Sequence, residues 1–188
     1  MTMKKLLTIA MLLLAGLTAN AQFTSKFIMN YDGTFTTQEG KSYDVAVIEN
    51  KDAAELYDIV KRHVSLAFRS PKDVESNVDD KIISIYGYAP RCTYFTAPGV
   101  KIYLSFHYSL KFQFKDGRIR IEAPILNDME GSVWSTLQKT FREKNIYSKD
   151  GVLNDNPKKR ITVTMLEDYF NKLINDIING NERANEDW

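Results

Sequence analysis

The chain has 188 residues, carries a formal net charge of +1, and is 44% hydrophobic. That length supports one domain with a real core, while so balanced a charge argues against a dedicated nucleic-acid binder. Cys92 is the single cysteine, which excludes an internal disulfide and leaves stability to packing.

Residues 1–21 read as a secretory leader. Lys4 and Lys5 form a positive start, and Leu6 to Leu17 is apolar but shorter than the ~20 residues a spanning helix needs. Ala19-Asn20-Ala21 supplies the small residues of a cleavage site, placing the cut before Gln22. The alternative is an uncleaved anchor helix. No cysteine sits just after the cut, so no lipid anchor is expected. The expected product is exported, periplasmic or secreted, with no membrane span once the leader is gone. It loses Lys4 and Lys5 but no acid, and so becomes slightly negative. In an oxidising compartment the lone Cys92 is expected to be buried and inert, since no His or Asn is placed to activate it; the alternative is intermolecular pairing.

In residues 22–50, Phe27, Met29 and Tyr31 alternate, Asp32-Gly33 turns, and Tyr43, Val45 and Val47 alternate again, which predicts short strands. A helix is expected over 53–69. Asp52 caps it, Glu55 completes a capping box, Leu56, Ile59, Val60, Val64, Ala67 and Phe68 form its apolar stripe, and Pro71 stops it. After a polar connection through Asp79-Asp80, a strand runs from Lys81 to Tyr88 with Ile83 and Ile85 on one side. Ala89 to Gly99 contains Pro90, Pro98 and Gly99 and is expected to be a loop.

Residues 101–125 then form two alternating runs around Asp116-Gly117. Ile102, Leu104, Phe106, Tyr108, Leu110, Phe112 and Phe114 precede the turn; Ile119, Ile121, Ala123 and Ile125 follow it. A two-residue type I′ turn would pair Phe114 with Ile119, Phe112 with Ile121, Leu110 with Ala123 and Tyr108 with Ile125. A three-residue loop would set Phe112 against Arg120 and spoil both faces. Pro124 marks a strand end or a sheet edge. Further on, Ser132 to Lys144 is expected to be a second helix and Asn145 to Pro157 an exposed loop. A strong helix follows over 165–179, with Thr164 and Glu167 at capping-box spacing and Gly180 ending it. Residues 22–180 thus make one domain, with 181–188 a polar tail.

Two amphipathic helices need an apolar surface, and the hairpin supplies one. The expected fold is α+β, an antiparallel sheet with two main helices on one face. Its other face would carry Tyr103, Ser105, His107, Ser109, Lys111, Gln113, Arg118, Arg120 and Glu122. That face reads either as an ordinary solvated side or as a contact surface, unless the leading segment or the 145–157 loop covers it.

Motifs for chemistry are missing. His63 and His107 are the two histidines, and neither has a partner at metal-ligand spacing. His63 sits beside the first helix's apolar stripe, as a satisfied boundary residue would. The acids of Asn127 to Glu130 and Asp150 to Asn156 lack calcium-loop spacing. No Gly-x-Ser-x-Gly elbow or phosphate loop occurs, so no residue takes a catalytic role and no cofactor is expected. Lys158-Lys159-Arg160 reads as a solvated flank.

Ala54-Glu55-Leu56-Tyr57 opening a helix, Ser70-Pro71 and Val74 after it, Ile83 to Gly87, and the strand running into Lys115-Asp116-Gly117-Arg118-Ile119-Arg120 form a familiar order. Over roughly Lys26 to Asn127 the chain resembles a family of secreted proteins of unknown function, common in anaerobic gut Gram-negative bacteria, described as having a TATA-binding-protein-like fold. The resemblance implies a curved antiparallel sheet with helices on one side. It implies no activity and transfers no functional residue, and the fold's name is no argument for DNA binding.

The expected function is therefore an exported, non-enzymatic binding or accessory module of the cell envelope. Its contact surface would be the open face, centred on Tyr103, His107, Lys111, Gln113, Arg118, Arg120 and Glu122. A peptide, a glycan or another envelope protein would be the partner, and nucleic acid would not. The alternatives are an envelope hydrolase whose site motifs do not reveal, and a structural protein that self-associates through a strand edge.

Overall fold

A computed structural model describes residues 22–68, 75–78, 81–130 and 137–180, with 75–78 and 128–130 described as backbone. The leader, Ser70-Pro71 and Val74, Asp79-Asp80, the first turns of the helix expected from Ser132, and the tail lie outside these residues.

The chain runs β1 (Phe27–Met29), β2 (Phe35–Thr37), β3 (Tyr43–Val47), α1 (Ala53–Ala67), β4 (Glu75–Val78), β5 (Ile82–Ala97), β6 (Val100–Lys115), β7 (Arg118–Glu122), β8 (Ile125–Glu130), α2 (Leu137–Glu143) and α3 (Pro157–Asn179). Strands β3-β7-β6-β5-β4 form one antiparallel sheet in that order, and β8 pairs with β6 beyond the end of β7. β1 and β2 make a separate hairpin. The α+β class and the placing of the helices on one side of the sheet are as expected.

The inner face follows from the alternation in β6. Leu104, Phe106, Tyr108, Leu110, Phe112 and Phe114 are buried, as are Ile119 and Ile121 of β7 and Ile83 and Ile85 of β5. Against them lie Leu56, Val60 and Val64 of α1 and Leu166, Phe170, Leu173, Ile174 and Ile177 of α3. Each such side chain contributes about 1.5–3 kcal/mol when fully buried. α1 starts as expected, with the Asp52–Glu55 capping box formed in both directions.

The hairpin keeps the expected register at its tip, where Phe112 pairs with Ile121, Gln113 with Arg120, Phe114 with Ile119 and Lys115 with Arg118. Its turn differs from the type I′ expected. Gly117 has φ 73° while Asp116 stays out of the left-handed region, as in a type II turn. Asp116 is held by other work: its carboxylate accepts the Ala53 N–H at 3.0 Å, and the Gly117 N–H and C=O bond Lys51 and Ile48.

Four further expectations are corrected. Ala89 to Gly99 is not a loop, because β5 runs on to Ala97 and turns back through Pro98-Gly99. The register shift between Ala89 and Thr93 absorbs Pro90, which has no N–H to place in a ladder, and Arg91, whose φ is 47°. Beyond Pro124 the register also slips. Tyr108 pairs with Leu126 and Ser109 with Ile125, so Ile125 turns outward and is 59% exposed. In β3 the alternating Val45 and Val47 likewise face out, and Ala46 is the buried residue. The last helix starts at Pro157, capped by the Asn156 side chain on Lys158 N–H; it does not start near Thr164.

Glu167, read as part of that cap, instead begins a ladder along α3. Its carboxylate accepts the Met29 N–H at 2.8 Å, Asn171 accepts from Phe27 at 2.8 Å, Asn175 from Ser25 at 2.6 Å and Asn179 from Phe23 at 3.1 Å. Asn171 and Asn179 also donate back to the Phe27 and Phe23 carbonyls, each at 2.8 Å. Four residues of helix rise ~6 Å and two residues of strand ~6.6 Å, so the two repeats stay in step. From the other side the Tyr147 hydroxyl donates to the Met29 carbonyl at 2.5 Å. Tyr147 and Ile146 are buried, so the 145–157 segment is not simply an exposed loop.

Candidate ligand-binding face

The 145–157 segment packs on Met29 and Phe141 and residues 23–29 are bound along α3, so of the leading segment only the Gly33–Phe35 corner and Ser42 border the outward side chains. The outward side chains are those opposite in parity to the buried ones. Along β6 they run Tyr103, Ser105, His107, Ser109, Lys111, Gln113 and Lys115. Register sets β5 beside them, with Ser84 against Lys111, Tyr86 against Ser109, Tyr88 against His107 and Tyr94 against Tyr103. On the other flank Arg118, Arg120 and Glu122 of β7 meet Val47, Val45 and Tyr43 of β3.

The seven candidate residues fall into two groups. Gln113, Arg120 and Glu122 come together near the Asp116-Gly117 turn, with Lys111 and Arg118 beside them. Arg120 Nε lies 3.0 Å from Glu122 Oε1, its N–H not aimed along the contact, and Gln113 Nε2 donates to the same oxygen at 3.4 Å. The Arg120 guanidinium stacks 4.0 Å over Tyr43. Lys111, Lys115 and Arg118 make no ion pair among the described residues.

Tyr103 and His107 belong to an aromatic group farther along β6. His107 packs against Tyr88 with centroids 5.0 Å apart, and Tyr103 against Tyr94 at 5.5 Å. Arg91 stands 4.2 Å over Tyr103 and Lys101 4.5 Å over Tyr94. Tyr86 and Tyr88 are 59% and 43% exposed. Lys111 and Tyr103 are eight residues apart on one strand, hence ~26 Å.

Sequence reasoning missed Tyr43, Tyr86, Tyr88, Tyr94, Arg91 and Lys101. A signal for two of them existed, since placing Ile83 and Ile85 inward puts Ser84, Tyr86 and Tyr88 outward by parity. Gly87 between them lets β5 lie close over the buried Tyr108 ring, where a β-carbon would sit 2.3 Å from Tyr108 Cζ.

Between the two groups the sheet is notched. Pro124 ends one ladder on β6 and the next begins at Ser109, so Leu110 and Lys111 belong to neither. A cavity of about 620 Å³ opens there, lined by Ser84, Tyr86, Lys111, Glu122, Pro124, Ile125 and the Gly33–Phe35 corner. Its walls mix apolar surface with one cation and one acid, which suits holding a ligand by side chains.

The perturbed titrating groups lie elsewhere and have structural roles. Burial pushes the Cys92 thiol up to about 12, and its Sγ donates to Leu104 O at 3.7 Å. Burial also raises Glu167 and Tyr147, both bound to Met29. His63 Nδ1 is 2.8 Å from Ile177 O, the satisfied boundary position expected. Among the described residues no group of three His, Cys, Asp or Glu could hold a metal ion. No helix among them is long and apolar enough to cross a membrane.

No protein-family model and no curated protein matches the chain. Its fold is similar to a solved DUF4468 family protein from Bacteroides ovatus, at 13% identity and a TM-score of 0.55, covering 84% of this chain and 93% of that one. A TBP-like protein from Parabacteroides distasonis is matched at 15% identity and a TM-score of 0.43, over 75% of this chain and 92% of that one. The architecture implied by the sequence resemblance is thus also that of a solved bacterial protein. Neither description names an activity or a ligand, and at such identities the likeness bears on fold.

Proposed function

We propose that the protein is an exported, non-enzymatic binding module of the bacterial cell envelope that holds an extended ligand on its open sheet face. One observation carries this reading. Exposed Tyr86, Tyr88 and Tyr103 share one face with Lys111, Lys115 and Arg118, which make no ion pair among the described residues, while the opposite face packs against α1 and α3. A cross-strand aromatic pair adds only about 0.2–1 kcal/mol to a sheet and an unpartnered cation less, whereas their gathering on one face is what a contact surface needs. The partner is a peptide, a glycan or a protein of the envelope, and nucleic acid is not its ligand.

The test is retention of the purified protein on immobilised envelope fractions, namely peptidoglycan sacculi and outer-membrane vesicles. Lys111→Glu with Arg120→Glu should abolish retention, while Lys61→Glu with Arg62→Glu, on exposed positions of α1, should not. Equal retention of the two variants would overturn the reading. Export has its own check. The N-terminus of the protein recovered outside the cytoplasm should be Gln22, and recovery with residues 1–21 still attached would contradict it.

A further inference from the structure

The near-neutral total charge hides a segregation. On β5, β6 and β7 the open face carries Arg91, Lys101, Lys111, Lys115, Arg118 and Arg120 against one acid, Glu122, and register sets two further acids of β8, Asp128 and Glu130, opposite the outward His107 and Ser105. The excess of cations therefore lies at the turn end of the hairpin, where Lys111, Lys115 and Arg118 attract anions. Resting on the reading above, we infer that the ligand is an acidic polysaccharide laid along β5 and β6. Its acid groups meet Lys111, Lys115 and Arg118, and its ring faces meet Tyr86 and Tyr88.

Three observations select this class over other anions. First, β5, β6 and β7 each have a strand on both sides, so their main-chain groups are largely spent in ladders. A peptide that binds by adding a strand needs a free edge, whereas a ligand lying across this face is recognised by side chains. Second, single-stranded nucleic acid is held by stacking a run of successive bases on ring faces. Here Tyr103, Tyr94 and Tyr43 each already carry the chain's own cation and His107 occupies one side of Tyr88, which leaves Tyr86 and one side of Tyr88, too few rings for a run of bases. Third, the surface is long. The proposed contacts run from Lys115 to the Tyr88–His107 pair, eight residues along β6, or ~26 Å, which exceeds any single small anion and suits a polymer. Neutral hydrogen-bonding groups, Ser84, Ser109 and Asn127, lie between the cations and the rings, where sugar hydroxyls would fall.

The probes are polygalacturonate, its methyl ester, polyglutamate and oligothymidylate, each titrated by calorimetry at low and at near-physiological salt. Polygalacturonate should bind, more weakly as salt rises, and the methyl ester should bind on the order of tenfold more weakly. The triple change Lys111→Gln, Lys115→Gln and Arg118→Gln should weaken polygalacturonate binding by on the order of tenfold, the effect of a few exposed ion pairs. Tyr86→Ala with Tyr88→Ala should weaken it at both salts. Lys158→Gln with Lys159→Gln, in the basic run at the start of α3, should change nothing; an equal loss there would mean unspecific charge attraction and overturn the inference. Equal binding of the methyl ester, lost in the tyrosine variant, would overturn the acidic class and leave the open-face reading standing. Polyglutamate or oligothymidylate binding as tightly as polygalacturonate would overturn the class in favour of that polymer. If none of the four binds, the class falls, and the envelope-fraction test alone decides the face.

Discussion

On the covered side of the sheet, Leu104 through Phe114 of β6 meet α1 and α3 with no solvent between them; one residue along in each case, the same strand offers Tyr103, His107 and Lys115 to water. The covered side extends its order even to polar groups. Glu167, Asn171, Asn175 and Asn179 pair the backbone of residues 23–29 at every second position. On the open side three cations make no ion pair among the described residues, and two tyrosines are about half-exposed. The difference separates what keeps the molecule folded from what is free to bind. Substitutions on the first side should be read as stability, and on the second as affinity.

The sharpest way to break that division is at Gly87, which faces the covered side between the open-face Tyr86 and Tyr88. Gly87→Ala would drive a methyl into the buried Tyr108 ring and should cost about 3 kcal/mol, at the high end of overpacking. Urea unfolding measures it, and a change below about 0.5 kcal/mol, the range of ordinary surface changes, would show that the ring has room to move. Asn171→Ala comes next. It strips partners from the Phe27 N–H and C=O and should cost about 2 kcal/mol, seen as a lower urea midpoint. An unchanged midpoint would mean the side-chain ladder does not hold β1.

Glu167→Gln tests the same ladder more finely. Burial raises the Glu167 pKa above its ordinary 4.5, against the opposing pull of the Met29 N–H. The folded state therefore holds this proton more tightly than the unfolded one, so native stability falls as pH rises from about 4.5 through the raised value. Gln keeps the acceptor and removes the titration. The variant's stability relative to wild type should therefore rise with pH across that window and then level off. A difference independent of pH would contradict it. The smallest effect is expected on the open side, where Lys111→Gln, Lys115→Gln and Arg118→Gln together should leave the unfolding midpoint within about 0.5 kcal/mol of wild type.

Much of the covered side is legible in the sequence. The alternation in β6, the Asp52–Glu55 box and Gly180 at φ 73° are local signals, and each appears where the residues place it. What escapes is non-local. Asn171, Asn175 and Asn179 look like an ordinary polar stripe until the chain returns residues 23–27 to them from about 150 positions away. Pro90 and Pro98 suggest a loop because composition does not reveal that one sits in a bulge and the other in a two-residue turn. Val45 and Val47 alternate as an inward pair would, and only Ala46, packed within the core, shows which side is in. On the open side, Tyr103, His107, Lys111, Gln113, Arg118, Arg120 and Glu122 all fall on the face that their parity assigns. Their division into two groups is not readable, since it depends on β5 and β3 supplying tyrosines to different ends of β6.

Whether the open face is the binding surface is decided by chemical-shift mapping of the backbone amides of the 15N-labelled protein during titration with polygalacturonate. Shifts are expected at Tyr86, Tyr88, Ser109 and Lys111, continuing to Lys115 and Arg118, with α1 and α3 undisturbed. Shifts confined to the helices, or spread evenly over all exposed lysines, would contradict it.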